Sequence, residues 1–264
     1  MAELKSPSVK LPPSLRLGCV KYLNARPLIH DWDGPVQFDH PSVLCRLLAQ
    51  GDLDVALVSS FEYLRNPSYS VVDGVAIASD GQVFSVVLAH EGPIEQLREI
   101  VVDPASETSV NLLRCLLGER GQDMPKFVTD GAITRERARL LIGDQALRFR
   151  HDFGDRHQFF DLGAAWKNFS GLPFVYALWL IRPALRGKRA VAKALRSLGK
   201  RNLQALDAII ALQPESERAF CEFYYRECLR FDFGEREKAG FKKFGELCAK
   251  QKLIPEAPIG LRLV

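Results

Sequence analysis

The sequence predicts an α/β fold divided into two lobes, and three observations predict it. Short apolar segments of strand type alternate with helix-like segments through the first third of the chain, the pattern of a largely parallel sheet flanked by helices. A second unit of the same kind starts after Gly92-Pro93. The run 172–181 is long, apolar and rich in aromatics, as a strand buried on both faces must be. At 264 residues the chain can fill two such units.

The elements follow in order. Residues 15–20 read as the first strand, and Tyr22-Leu23-Asn24-Ala25-Arg26-Pro27-Leu28 follows it directly. An aromatic ring, an amide and a guanidinium therefore fall where a strand hands over to a helix, the junction at which open α/β sheets bind ligands. Asn24 is the leading candidate there, since an amide donates and accepts at one fixed point. Helix capping by Asn24 with a solvated Arg26 is the other reading. Residues 41–50 read as a short helix, with Ser42 near its start and Gly51 just past its end. Residues 54–58 read as a strand ending at Ser59-Ser60, and 71–77 and 83–90 as two more.

In the second unit, 100–102 reads as a strand and 103–106 as a turn. A helix with Val110, Leu112, Leu113, Leu116 and Leu117 on its buried face comes next. Residues 127–128 and 140–142 read as strands, the latter ending at Gly143-Asp144. After 181 the chain reads as mostly helical from Lys188 to about Lys252. The layout this implies is an inserted lobe: 1–90 first lobe, 91–177 second lobe, 178–264 return to the first. Crossings through 83–90 and 174–180 would form a hinge, with the ligand in the cleft between lobes.

Composition narrows the classes. No apolar run approaches the length of a membrane span, and residues 1–13 carry no apolar core of a secretory signal, so the expected location is cytoplasmic. Six cysteines lack C-x-x-C spacing and five histidines lack ligand spacing, which reads as reduced core thiols and no metal. From Arg182 to Arg201 there are eight Lys/Arg and no Asp or Glu. Val191, Leu195, Leu198, Leu206 and Ile209 recur through that stretch at helical spacing, and no aromatics interleave as a nucleic-acid platform needs. It reads as the wet face of a helix, with neither nucleic acid nor membrane as a partner.

Four groups fall at expected strand ends: Asn24, Ser59-Ser60, Ser106-Glu107-Thr108-Ser109 and Asp144. Hydroxyls beside the free N–H groups of a helix N-terminus make a carboxylate- or phosphate-binding corner. Simple capping by Ser106 or Ser109 explains the same residues, and Asp144 equally caps the helix that follows it. Ser85, inside Gly81-Gln82-Val83-Phe84-Ser85-Val86, either faces the cleft or is a small polar residue in the hinge. Dinucleotide, Walker-type and G-x-S-x-G motifs are absent from the sequence.

Taken together, these segments resemble the chorismate dehydratases of the futalosine route to menaquinone. The resemblance is carried by Tyr22-Leu23-Asn24-Ala25-Arg26-Pro27-Leu28, Pro41-Ser42-Val43-Leu44, and Gly51-Asp52-Leu53-Asp54-Val55-Ala56-Leu57-Val58-Ser59-Ser60 with Phe61-Glu62-Tyr63. Gly81-Gln82-Val83-Phe84-Ser85-Val86, Ser106-Glu107-Thr108-Ser109 and Leu141-Ile142-Gly143-Asp144-Gln145-Ala146-Leu147 continue it. Asp161-Leu162-Gly163-Ala164-Ala165-Trp166 and Gly171-Leu172-Pro173-Phe174-Val175-Tyr176-Ala177-Leu178-Trp179 complete it. The motifs are collinear from about 16 to 180. One departure is Ser170, where a threonine is expected beside Gly171.

The resemblance implies a fold similar to type II periplasmic solute-binding proteins and loss of water from chorismate to give 3-[(1-carboxyvinyl)oxy]benzoate, without a cofactor. Ser106, Thr108 and Ser109 would hold the ring carboxylate. Ser59 and Ser85 would help hold the second carboxylate, Ser60 is a further substrate-binding candidate, and Asn24 would hold the reacting C3–C4 edge. For the base, Asp144, His30 and the substrate's own enolpyruvyl carboxylate all stand open. A non-catalytic small-anion-binding protein of the same fold is the alternative function, and a ligand-sensing regulator a third.

Overall fold

A computed structural model describes residues 15–103, 106–121, 123–256 and 259–264. Among them, the strands β1 (Leu17–Val20), β2 (Val36–Asp39), β3 (Val55–Ser59) and β4 (Ser70–Ser79) come first. Next are β5 (Val86–His90), β6 (Glu99–Val101), β7 (Lys126–Val128), β8 (Arg137–Ile142) and β9 (Gln158–Asp161), and last β10 (Phe174–Ile181). They form two five-stranded sheets, ordered β2-β1-β3-β10-β4 and β7-β6-β8-β5-β9. Every residue of β3, β5 and β10 is buried, so these apolar runs are covered on both faces.

The sheets are mixed rather than largely parallel. β2, β1 and β3 run parallel, as do β7, β6 and β8. β10 is antiparallel to β3 and β4, and β5 to β8 and β9. The reason is where the chain changes lobe. β4 runs toward the interlobe cleft and ends at Ser79, which pairs with Phe174, the first residue of β10. Val86, the first residue of β5, likewise pairs with Ile142, the last of β8. A strand that enters its sheet at the cleft can only run away from it.

The boundaries of the inserted lobe shift accordingly. The expected division at 90/91 and 177/178 put residues 86–90 in the first lobe and 174–177 in the second. The sheets assign them the opposite way, so the crossings are residues 80–85 and 171–173. The first crossing is not a continuous strand because Phe84 adopts φ +61, beyond a Gly81 at φ +140. Left-handed backbone at a phenylalanine costs about 1–2 kcal/mol, and its surroundings hold it there. The Asp161 carboxylate accepts from Val83 N (3.1 Å) and Phe84 N (2.8 Å). The Phe84 ring packs edge-on to Phe223 at 5.4 Å, with the Arg150 guanidinium 4.4 Å from its centroid.

Helices cover the sheets: α1 (Arg26–Ile29), α2 (Pro41–Gln50) and α3 (Ser60–Arg65) in the first lobe, and α4 (Glu107–Glu119), α5 (Gly143–Phe153) and α6 (Leu162–Ser170) in the second. The helical return comprises α7 (Lys188–Gln204), α8 (Leu206–Ala211), α9 (Glu215–Phe223) and α10 (Glu235–Lys250). α7 buries Val191, Leu195 and Leu198 and exposes Arg189, Lys193 and Lys200, the amphipathic arrangement its spacing predicts. One π-helical turn, Tyr224–Cys228, follows α9. All six cysteines are buried thiols. Among the described residues no helix is long and apolar enough to cross a membrane.

At the far end of the first sheet, Asp54 joins β1 to β10. It pairs with Arg16 at 2.9 Å and with Arg182 at 2.6 Å. Burial alone raises its pKa, but the bonds from Arg16 and the charge of Arg182 outweigh that and hold it below the ordinary 3.8.

Candidate functional site

Strand ends build the cleft. β1 delivers Tyr22 and a 3₁₀ turn, Leu23–Ala25, that presents Asn24. β3 ends at Ser59, whose register partner on β10 is Ala177. From the second lobe come Ile142 and Gly143 at the end of β8, and Ser106 to Ser109 at the start of α4. These residues line one cleft, together with Val20, Pro41, Ile77, Val86 and Tyr176. The cavity they line has a volume of about 70 Å³. The walls are apolar and aromatic, and the polar groups converge from both lobes.

Two of those polar groups have no hydrogen-bond partner. Asn24 Oδ1 and Ser106 Oγ are both buried and unbonded. Buried polar atoms are normally paired, so two unpaired ones facing one cleft, one from each lobe, stand out. Neither residue caps a helix. Ser106 stands at the N-terminus of α4 without a side-chain capping bond, and Asn24 lies inside its 3₁₀ turn, with Ala25 at the N-cap of α1. The capping alternatives for both are thereby answered.

Among the described residues, polar contacts join the lobes at three places around the cleft. Thr108 Oγ1 bonds Ser59 Oγ and accepts from Phe61 N at 3.2 Å. Arg65 donates to Glu107 at 2.6 Å and also pairs with the buried Glu62. Burial works against the charge on Arg65, but the two carboxylates outweigh it and raise its pKa further. Glu107 therefore borders the N-terminus of α4 with its charge already matched. The third contact is Leu23 N donating to Asp144 Oδ1 at 2.9 Å.

The structure brings together Asn24, Ser59, Ser106, Thr108 and Ser109 on the cleft wall. It does not bring Ser60, Ser85 or Asp144 there. Ser60 is fully buried and donates to Val175 O at 2.7 Å, tying α3 to β10. Ser85 Oγ accepts from Tyr224 OH at 2.7 Å, inside the crossing. Asp144 lines a neighbouring groove with Lys21, His40 and Arg148, and its carboxylate is engaged with the Leu23 backbone. His30 pairs with Asp31 at 3.3 Å and does not line the cleft. The motif arginine, Arg26, turns away to the Gln213 side-chain oxygen.

Tyr22, Gly143 and Tyr176 were not among the expected site residues. The Tyr22 ring lies against Gly143, where a Cβ would approach it to 2.8 Å and where φ is +55. Only glycine meets both conditions. Burial, with Asp103 and Asp144 nearby, pushes the Tyr22 phenol up to about 12, so it stays neutral. Tyr176 OH bonds Ser79 Oγ at 3.0 Å, and burial drives its pKa up as well.

A model of the menaquinone-biosynthesis family matches residues 15–250, which takes in both lobes and every residue of the cleft. The chain belongs to that family. Two relatives within reach of this menaquinone-biosynthesis protein are chorismate dehydratases. That of Thermus thermophilus is 29% identical, covering 92% of this chain and 97% of the relative. That of Campylobacter jejuni is 24% identical, over 86% and 90%. Among solved structures, a protein of Archaeoglobus fulgidus superposes with TM-score 0.70 at 20% identity, covering 94% of this chain and all of the other. The periplasmic aliphatic sulphonate-binding protein of Escherichia coli gives 0.60 at 14%, over 93% and 95%. At those identities the family protein shares their fold, that of two-lobed periplasmic binding proteins.

Proposed function

We propose that the protein is a chorismate dehydratase, a cofactor-independent hydro-lyase that eliminates water from chorismate to give 3-[(1-carboxyvinyl)oxy]benzoate. The observation that carries the reading is the pair of unbonded buried groups, Asn24 Oδ1 and Ser106 Oγ, on one interlobe cleft. They occur in a family member whose relatives carry that name.

The chemistry follows from the substrate. Loss of the C3 proton delocalises charge into the ring carboxylate, and the C4 hydroxyl leaves as water. Fixed donors on that carboxylate stabilise the charge as it develops. The N-terminus of α4, with the Ser106, Thr108 and Ser109 hydroxyls, is the site assigned to it, and Ser59 is placed toward the second carboxylate. Asn24 is assigned the C3–C4 edge, where its amide bonds the departing hydroxyl. The surrounding apolar wall excludes water and strengthens each of these contacts.

The base is assigned to the substrate. Its enolpyruvyl carboxylate takes the C3 proton and passes it to the departing C4 hydroxyl, which leaves as water, and the protein supplies geometry and anion stabilisation. What supports this is the engagement of Asp144 with Leu23 N and its place outside the cleft lining. Asp144→Asn is then expected to keep turnover within a few-fold, because the amide oxygen still accepts from Leu23 N, whereas Asp144→Ala loses about ten-fold or more. Loss of turnover in Asp144→Asn with chorismate binding intact would return the base to the protein.

The test of the function is incubation of the purified protein with chorismate and no added cofactor, followed by mass spectrometry. The expected product is lighter by one water and has a benzoate-like absorption. Binding of chorismate without turnover would instead make the protein a small-anion-binding relative.

A further inference from the structure

The segment 22–30 carries Asn24 but has little regular structure of its own, a three-residue 3₁₀ turn and the four-residue α1. Its backbone is held from outside. Leu23 C=O accepts from Tyr225 OH at 3.0 Å, and His30 C=O accepts from Asn202 Nδ2 at 2.6 Å. Arg26 donates to the Gln213 side-chain oxygen. Tyr225, Asn202 and Gln213 are 2%, 4% and 6% exposed, so three buried polar side chains of the helical return are committed to this one segment.

The bond from Tyr225 is the one that bears on the amide. Leu23 C=O and Asn24 N–H belong to a single planar peptide. Fixing that carbonyl fixes the plane from which the Asn24 side chain projects. The preceding peptide is fixed by Asp144 through Leu23 N. Tyr225 itself lies in the π-helical turn, a local feature that recurs at functional sites. Its neighbour Tyr224 bonds Ser85 in the crossing. Two consecutive hydroxyls thus hold two different segments that border the cleft.

We infer that Tyr225 is a positioning residue for Asn24: its hydroxyl orients the Leu23–Asn24 peptide and aims the amide at the reacting edge of the substrate. It touches no substrate and does not line the cleft. The inference rests on the dehydratase reading.

The test is the steady-state kinetics of Tyr225→Phe with chorismate, beside Tyr63→Phe. The comparator removes an equally buried hydroxyl, bonded to Gly260 O at 2.8 Å and Arg262 N at 2.9 Å, away from the cleft. Tyr225→Phe is expected to lower kcat about ten-fold or more with KM changed less than about two-fold, since small misplacements of a reacting group are costly. Tyr63→Phe is expected to lower Tm and leave kcat alone. In an Asn24→Ala background, adding Tyr225→Phe is expected to change kcat little, because residues that act as one unit are not additive.

An unchanged kcat in Tyr225→Phe overturns the inference, as does an equal further loss on the Asn24→Ala background. If Tyr225→Phe does not fold, Gln213→Leu puts the same question through Arg26, with the same kcat loss expected and an unchanged kcat counting against it. Failure of the wild-type protein to consume chorismate sinks the dehydratase reading and this inference with it. Turnover by the wild type with no loss in Tyr225→Phe sinks the inference alone.

Discussion

Replacing Asn24 with alanine should reduce turnover of chorismate by about 10²–10³-fold, the usual cost of losing one preorganised polar group that acts on the transition state. The amide oxygen is buried without a protein partner, and its backbone is fixed on both sides of the preceding residue. Its removal leaves untouched the N-terminus of α4, to which we assign the ring carboxylate, so binding should weaken by less than about ten-fold. Isothermal calorimetry with the impaired variant gives the affinity, and the rate of product appearance gives the loss. Asn24→Asp is expected to be at least as inactive, since it sets a second negative charge beside a dianionic substrate. Near-wild-type kcat in Asn24→Ala would remove the amide from the chemistry and leave it a lining residue.

The largest effect on stability is expected from Asp161→Ala. One carboxylate accepts from Val83 N, Phe84 N and Ala164 N, so it caps α6 and pins the first crossing at once. Loss of the cap costs about 1 kcal/mol, and each buried N–H left without a partner about 1–3 kcal/mol. The sum is about 3–7 kcal/mol, enough to unfold many proteins of ordinary stability. Burial raises the pKa of Asp161 above its ordinary value even against those three donors, which shows how fully the group is withdrawn from water. Chemical denaturation of the two proteins measures the difference. A loss under about 1 kcal/mol would mean that solvent or other groups can take over those N–H bonds.

Parts of this architecture were legible in the chain because local chemistry determines them. Residues 41–50 carry helix punctuation at both ends and form α2 over that span. The apolar run ending at Ile181 had to be a strand covered on both faces, and all eight residues of β10 are buried. Asn24, Ser59 and the Ser106–Ser109 group were readable because they follow strands, where α/β sheets place ligands.

What escaped depends on distant partners. Nothing in Val83-Phe84-Ser85-Val86 announces a break, for the backbone reversal at Phe84 is held by Asp161 from another part of the chain. β2 and β9 are four-residue strands, too short for a period to emerge. Ser59 and Ser60 are chemically alike, and only the end of β3 decides which hydroxyl meets the cleft and which meets Val175. Ser85 and Leu23 are claimed by the adjacent tyrosines of the π turn, contacts no local pattern encodes.

The placement of β10 has a consequence for assembly on the ribosome. Every strand pairing of the second sheet lies within residues 86–161, so that sheet can pair as soon as the stretch has emerged. The enclosing lobe cannot, because β10 arrives later and must enter between β3 and β4, pairing Ile181 with both Val55 and Ser70. Until then β3 and β4 expose unpaired apolar edges, the state in which nascent chains aggregate. Synthesis therefore orders the process from the inside outward, and the interval before β10 emerges is when this chain most needs a chaperone.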